Sequence, residues 1–208
     1  MSFHRPLDMI DEAMTSSSTH QQLKPRLRLK GVPKPFWGQA RKALANSNVL
    51  GFFSSAPSDV SMYLLLRNWD WFAIRGLAEK ALIEAWSNQK RTYAYSPHMP
   101  RLLDMVDRTR LLAAGDPLPE GETFILYRGV SGDGDPYGAS WTINLEVARF
   151  FASIPHWGSG TIYAITVPRS DIYAYLHDCG RTESEALLRL SGDETLAVVE
   201  QPVLKLDT

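Results

Sequence analysis

The 208-residue chain contains one cysteine, Cys179, a scarcity that excludes an internal disulfide and a cysteine-built zinc site and fits a reducing compartment. Long apolar runs are also missing. No stretch approaches 18 apolar residues, and the N-terminal MSFHRPLDMIDEAM lacks a basic segment followed by an apolar one. Neither a membrane span nor a signal peptide is therefore expected, and a cytoplasmic location follows as the expectation. No GxGxxG follows a strand-like segment, so a dinucleotide would not be held in the Rossmann manner. The loop SGDGDPYG has neither Walker spacing nor a full calcium-loop pattern and reads as a surface turn. His4, His20, His98 and His156 are too scattered for a metal site, and His177 with Cys179 has no accompanying base and orienting group. No metal is expected.

Net charge is small as well, at -1, which argues against a global field for nucleic acid or anionic membrane. Acids are locally absent: between Gln21 and Ser58 stand Lys24, Arg26, Arg28, Lys30, Lys34, Arg41 and Lys42 with no Asp or Glu. Such a stretch suits phosphates or an acidic partner. It equally suits a surface segment balanced by acids elsewhere, and that balanced surface is the expectation.

What is present is enough apolar material, 44% hydrophobic and 11% aromatic, for one full core or one core with a smaller attached layer. Residues 1-33 read as an extended basic arm. Residues 34-121 read as helical: PFWGQARKALANS opens on a proline, WDWFAIRGLAEKALIEAWSNQ repeats apolar residues at three- and four-residue spacing, and PRLLDMVDRTRLLAAG ends on Gly115. The aromatics Phe36, Trp37, Trp69, Trp71, Phe72 and Trp86 are expected to pack. From residue 122 to 208 the pattern is short strands, TFILYRGV, GASWT, GTIYAITVP, DIYAYL, ESEALLRL, TLAVVE and PVLKL. One helix interrupts them, NLEVARFFASI, with Asn144 as N-cap and Glu146 in its first turn. Helices first and strands after predict an α+β fold, the helical region packed on the strand-rich one as a compact domain.

Several residues in the strand-rich part have chemistry to offer. On a strand, Phe124, Leu126, Arg128 and Val130 share a face, so the Arg128 guanidinium lies among apolar neighbours and needs an anion or a protein carboxylate as partner. Gly129 beside it permits close approach of a backbone or a flat ligand, or marks a bulge. Ser140 and Thr142 share a face of a short strand, with Trp141 on the other. Phe150 and Phe151 are adjacent on a helix, about 100° apart, so one of them points away from the core. In RTESEALL, Glu183 and Glu185 on one strand would share a face roughly 7 Å apart. Like charges at that distance repel unless a cation or donors compensate.

An Arg-Gly on the first strand, a Ser-x-Thr strand followed by an aromatic-bearing helix, and a Glu-x-Glu opening a later strand together resemble the Arg-Ser-Glu, cholera-toxin-like class of NAD-dependent ADP-ribosyltransferases. The resemblance covers residues 124-206. It implies an ADP-ribosyltransferase-like split β-sandwich that takes NAD as substrate. By the same resemblance Arg128 would grip the pyrophosphate or the adenosine-side ribose, the Gly129 backbone would hold the nicotinamide amide, and Ser140 would buttress the catalytic carboxylate, with Thr142 the second hydroxyl of that strand. Phe151, or Phe150 in its place, would stack on the nicotinamide. Glu185 would bind the 2'-hydroxyl of the nicotinamide ribose, Glu183 would activate the acceptor, and residues 177-182 would help choose the target. Trp141 departs from the family pattern and is expected to make the cleft wall bulkier.

The chemistry is coherent with those roles. Loss of nicotinamide builds positive charge on the ribose, which a carboxylate stabilises, and a protonated guanidinium acceptor needs a second carboxylate to orient it and take up its proton. The implied activity is mono-ADP-ribosylation of a macromolecule, with an arginine of a protein as acceptor. An RNA or DNA base, or water in an NAD glycohydrolase, is the alternative. A non-catalytic binding module ranks last, because every chemical position is filled. By analogy with the family, the enzyme would be a toxin, a phage-delivered effector or a defence protein acting in a bacterial cytoplasm, with an antitoxin or inhibitor protein as a further partner.

Overall fold

A computed structural model describes residues 25-89, 95, 98-132, 134-154, 160-177 and 183-200. The PVLKL segment and the first 24 residues of the basic arm lie outside them. The chain divides into two compact units, Met1–His98 and Met99–Thr208.

The first unit is helical. Its chain enters as an extended strap in which exposure alternates: Arg26, Arg28 and Lys30 are exposed, Leu27 is half-buried and Leu29 buried. Asn68 pins this strap by accepting from the Arg28 amide at 2.7 Å and donating to the Arg28 carbonyl at 2.9 Å, as a neighbouring strand would. A 3-10 turn over Lys34–Phe36 leads into α1 (Trp37–Ala45), and α2 (Val49–Phe53) follows, capped by the Asn48 side chain, which accepts from the Gly51 amide at 2.8 Å. α3 spans Ser61–Arg67, α4 Trp69–Ala73 and α5 Ala78–Asn88. The expected helix starting at Trp69 is thus two helices, because Gly76 sits between them at φ 64°, a conformation that ends a right-handed helix. Phe72 meets Phe52 at 5.8 Å and Phe53 at 6.0 Å between ring centroids, and these rings with Met62, Leu82 and Trp86 fill the core. Of the aromatics expected to pack, Trp69, Phe72 and Trp86 are buried, whereas Trp37 and Trp71 are half-buried and Phe36 is 46% exposed.

In the second unit, α6 (Met99–Asp104) and α7 (Arg108–Ala114) precede the strands, so the helical stretch 34-121 is shared between the units. The single helix expected from PRLLDMVDRTRLLAAG breaks at Asp107, whose carboxylate caps α7 by accepting from the Arg110 amide at 2.9 Å. Six strands follow: β1 Thr123–Ser131, β2 Ser140–Thr142, β3 Gly160–Pro168, β4 Ile172–Leu176, β5 Glu185–Leu188 and β6 Ala197–Glu200. They form one sheet, in the order β4-β5-β2-β1-β3-β6, with every pairing antiparallel. The fold is therefore α+β with an antiparallel sheet, as the segregation of helices and strands along the sequence predicts.

One face of the sheet carries the larger core, with Phe124, Leu126, Trp141, Ile165, Val167 and Leu188 among its members. On the other face lies α8 (Leu145–Ala152), which the Asn144 side chain caps by accepting from the Glu146 amide at 2.9 Å. Ala148 and Ala152 of α8 pack on Ile162 with Tyr127 and Leu145. The helix lies so close to the sheet that a Cβ added at Gly129 would come within 1.8 Å of the Ala148 carbonyl oxygen, and one at Gly160 within 1.9 Å of the Ala152 carbonyl oxygen. Arg149 holds α8 to the edge strand by donating from Nε and Nη2 to the two Glu200 carboxylate oxygens, and it also pairs with Glu146.

Candidate functional site at the seam of β1, β2 and β5

Antiparallel register brings the separated motifs together. Tyr127 of β1 faces Thr142 of β2, and Thr142 faces Glu185 of β5, so the residue after Tyr127 and the first residue of β5 are separated by two inter-strand spacings, roughly 10 Å. By alternation Glu185 shares the face of Tyr127 and Thr142 while Arg128 starts on the other, yet the two charges still influence each other across the seam. β1 and β2 share a single register pair; continued two residues further, Ser140 would face Gly129. Instead the Ser140 carbonyl receives Arg128 Nη1 at 2.6 Å, and the Asp135 carbonyl receives Arg128 Nε at 3.3 Å and Nη2 at 3.2 Å. The side chain of Arg128 thus fills the opening where the two strands part. Burial pulls its pKa below the ordinary guanidinium value, and the nearby charges of Asp135 and Glu185 oppose that shift. Carbonyl dipoles solvate the guanidinium without neutralising it, so the positive charge is balanced by those carboxylates.

Glu185 is 3% exposed, on a strand bonded along both edges, to Thr142 of β2 and to Leu176 of β4. Glu183 is not its strand-mate. β5 starts at Glu185, Glu183 lies in a turn, and Ser184 between them adopts φ 48°, a left-handed conformation that costs a non-glycine residue roughly 1 kcal/mol or more. The expectation that the two glutamates share one strand face is corrected accordingly, because alternation does not extend through Ser184. Thr142 holds the turn: its hydroxyl donates to the Glu183 carbonyl at 2.7 Å and accepts from the Asn144 amide at 3.0 Å. Through its side chain, Thr142 braces the acidic turn directly, and Ser140 contributes its carbonyl to Arg128.

The remaining expected residues distribute as follows. Gly129 lies in the β1-β3 ladder opposite Ile162, and its missing side chain is accounted for by the contact with α8. Phe150 and Phe151 meet edge to face at 5.4 Å. Relative to the sheet-facing pair Ala148 and Ala152, a turn of 100° per residue sends Phe150 outward, where it is 65% exposed, and leaves Phe151 half-buried beside the sheet. Trp141 corrects another expectation: it is 1% exposed in the larger core, donating its indole N–H to the Gly138 carbonyl at 2.8 Å, and so forms no wall of an open cleft.

Some contributors carried no clear sequence signal. Asp135 supplies the carbonyl that receives Arg128 while its carboxylate accepts from the Tyr137 amide at 2.8 Å, so the supposed surface turn is part of the site's frame. His177 Nδ1 lies 2.9 Å from Ser184 Oγ, its ring stacks on Tyr175, and its amide donates to Asp116 Oδ2 at 2.6 Å. The rest of the expected target loop, 178-182, lies outside the described residues. Among the described residues no group of three or more His, Cys, Asp or Glu is arranged to hold a metal.

Two clefts, of about 450 and 490 Å³, lie elsewhere, one beside Arg108 and Arg189 and the other in the helical unit. Neither is lined by Arg128 or Glu185. No family model, curated protein or solved structure matches the chain.

Proposed function

We propose that the chain is an NAD-dependent mono-ADP-ribosyltransferase that breaks the nicotinamide-ribose bond and passes ADP-ribose to an arginine of a protein, with its sheet built as the split β-sandwich of that class. The observation that carries this reading is the charge interaction between the half-buried Arg128 guanidinium, at the opening between β1 and β2, and the buried Glu185 carboxylate of β5. The donor set fits an anionic dinucleotide: carbonyls of described residues engage three of the five Arg128 N–H groups, and the guanidinium keeps its charge. NAD, when bound, supplies a glycosidic bond with a good leaving group. Arg128 binds its phosphates or adenosine ribose, and Glu185 accepts from the ribose 2'-hydroxyl and stabilises the charge that develops there. Glu183 orients the acceptor and takes its proton from the turn beside that strand. Phe151 offers a ring to the nicotinamide.

Incubation of the protein with labelled NAD and cell extract should label a protein band that protease, not nuclease, removes. Glu185→Gln is expected to stop both transfer and NAD hydrolysis, by about a hundredfold or more if it removes the main electrostatic stabiliser. Glu183→Ala is expected to stop transfer and leave slow hydrolysis to water. An unlabelled extract together with NAD left intact would refute the reading. Label on nucleic acid would redirect the acceptor, and hydrolysis without any label would make the chain a glycohydrolase. As a toxin or phage effector in a bacterial cytoplasm, the wild type should arrest growth on expression and Glu185→Gln should not.

A further inference from the structure

The helical unit has chemistry that the NAD site does not use. Between residues 25 and 89 stand nine Lys and Arg against four Asp and Glu, a net +5, and every one of those acids lies at residue 59 or beyond. Of the four, Glu79 is buried, and Glu84 is half-buried with its pKa raised by burial. The strap points Arg26, Arg28 and Lys30 outward at alternate positions, about 6.8 Å apart if fully extended, a spacing comparable to that of successive phosphates in a stretched single strand. Leu27 of the same strap lines the cleft of about 490 Å³, together with Leu44, Leu77, Trp71, Arg41 and Arg75.

Both of those arginines lie within cation–π range of an indole, Arg75 closely and Arg41 near its outer limit. Arg75 is stacked 4.0 Å from the Trp71 ring centroid and tied by an Nη1 bond to the Trp71 carbonyl at 3.1 Å, and Arg41 lies 5.7 Å from the Trp37 centroid. Trp37 is itself fixed by donating its indole N–H to the Val32 carbonyl at 2.9 Å. A guanidinium laid on an indole presents a flat, charged outer face. Phe36, 46% exposed, adds an aromatic ring next to Trp37 in the chain.

We propose that this cleft and the strap that borders it bind single-stranded nucleic acid, with Arg26, Arg28 and Lys30 on the strap's outer side following the phosphates and the Arg41 and Arg75 guanidiniums receiving bases. An acidic peptide would satisfy the cations but offers no rings to the stacked planes. A duplex keeps its bases stacked on each other and hides their faces. The inference concerns the helical unit alone and does not rest on the NAD reading.

Fluorescence anisotropy of the full chain, without NAD, against a labelled 16-nucleotide oligouridine tests it. With five cations engaged, log K should fall with log salt at a slope of about -3.5, so that raising salt from about 50 to 200 mM weakens binding about 100-fold. The combined variant R26Q/R28Q/K30Q should lower that slope by about 2, since the Arg28 main-chain bonds to Asn68 do not depend on its side chain. Arg75→Ala should weaken binding about tenfold by removing a stacking plane. Should the triple variant melt early, Arg75→Ala and Arg41→Gln carry the test. Absence of oligouridine binding at about 50 mM salt overturns the proposal. So does binding of an oligoglutamate or a duplex of equal charge as tight as that of oligouridine. Glu185→Gln should bind oligouridine like wild type, so loss of NAD chemistry and loss of this surface are read separately.

Discussion

Replacing Gly129 by alanine should unseat α8 from the sheet. The new Cβ would stand 1.8 Å from the Ala148 carbonyl oxygen and 2.7 Å from the Ala152 amide nitrogen, both main-chain atoms that cannot rotate aside. Close C–H···O contacts stop at roughly 3.3 Å, so the helix has to rise by roughly 1.5 Å. A radial gap of even 0.5–1 Å forfeits about a quarter to a half of the dispersion energy between facing atoms, here those of Ala148, Ala152 and Ile162. Overpacking costs about 1–3 kcal/mol, and with backbone as the obstacle the upper end applies. For a unit of roughly 100 residues, about 3 kcal/mol lowers the melting temperature by about 12 °C or more. Calorimetry of Gly129→Ala beside Gly160→Ala, whose Cβ would meet the Ala152 carbonyl oxygen at 1.9 Å, should show similar losses. Gly38→Ala, which meets nothing within 4 Å, should melt like wild type or slightly higher. Wild-type melting of both Gly129→Ala and Gly160→Ala would refute the close seating of α8. A loss shared by the two glycines attributes Gly129 to packing, whatever its backbone does for a ligand.

Two further outcomes follow from the hydrogen bonding and charge. Thr142→Val keeps the side chain's shape but leaves the Glu183 carbonyl and the Asn144 amide without their hydroxyl partner; chemical denaturation should show a loss of about 1–3 kcal/mol that Thr142→Ser restores. The hydrogen bonds from Arg149 hold the Glu200 carboxyl below its ordinary pKa, so its contribution to stability is present above the unfolded pKa and disappears as pH falls through the folded one. Thermal melts of wild type and Glu200→Gln should therefore differ at about pH 6 and converge below about pH 4.

Alternation of apolar residues made most strands legible, and Asn144 followed by Glu146 marked the start of α8 correctly. Sheet order was not legible, because β5 pairs with β2 and β4 through contacts distant in sequence, and nothing in ESEALLRL names its partners. Periodicity also ran past breaks that local geometry imposes. Gly76 and the Asp107 cap divide stretches whose apolar spacing continues across them. Ser184 was opaque for a different reason: a serine rarely occupies positive φ, and its position between two glutamates suggested an uninterrupted strand. Arg128 was read correctly as a charge on an apolar face that needs partners, yet two of its partners are main-chain carbonyls, which every residue has and no pattern singles out.

Glu183 and Glu185 are tied into the molecule in different ways. Glu185 is clamped between two neighbouring strands, while Thr142 holds the bend at Glu183 through the main-chain carbonyl, an atom every amino acid possesses. That one bond therefore survives any exchange at position 183, and the brace from Thr142 does not depend on which side chain stands there.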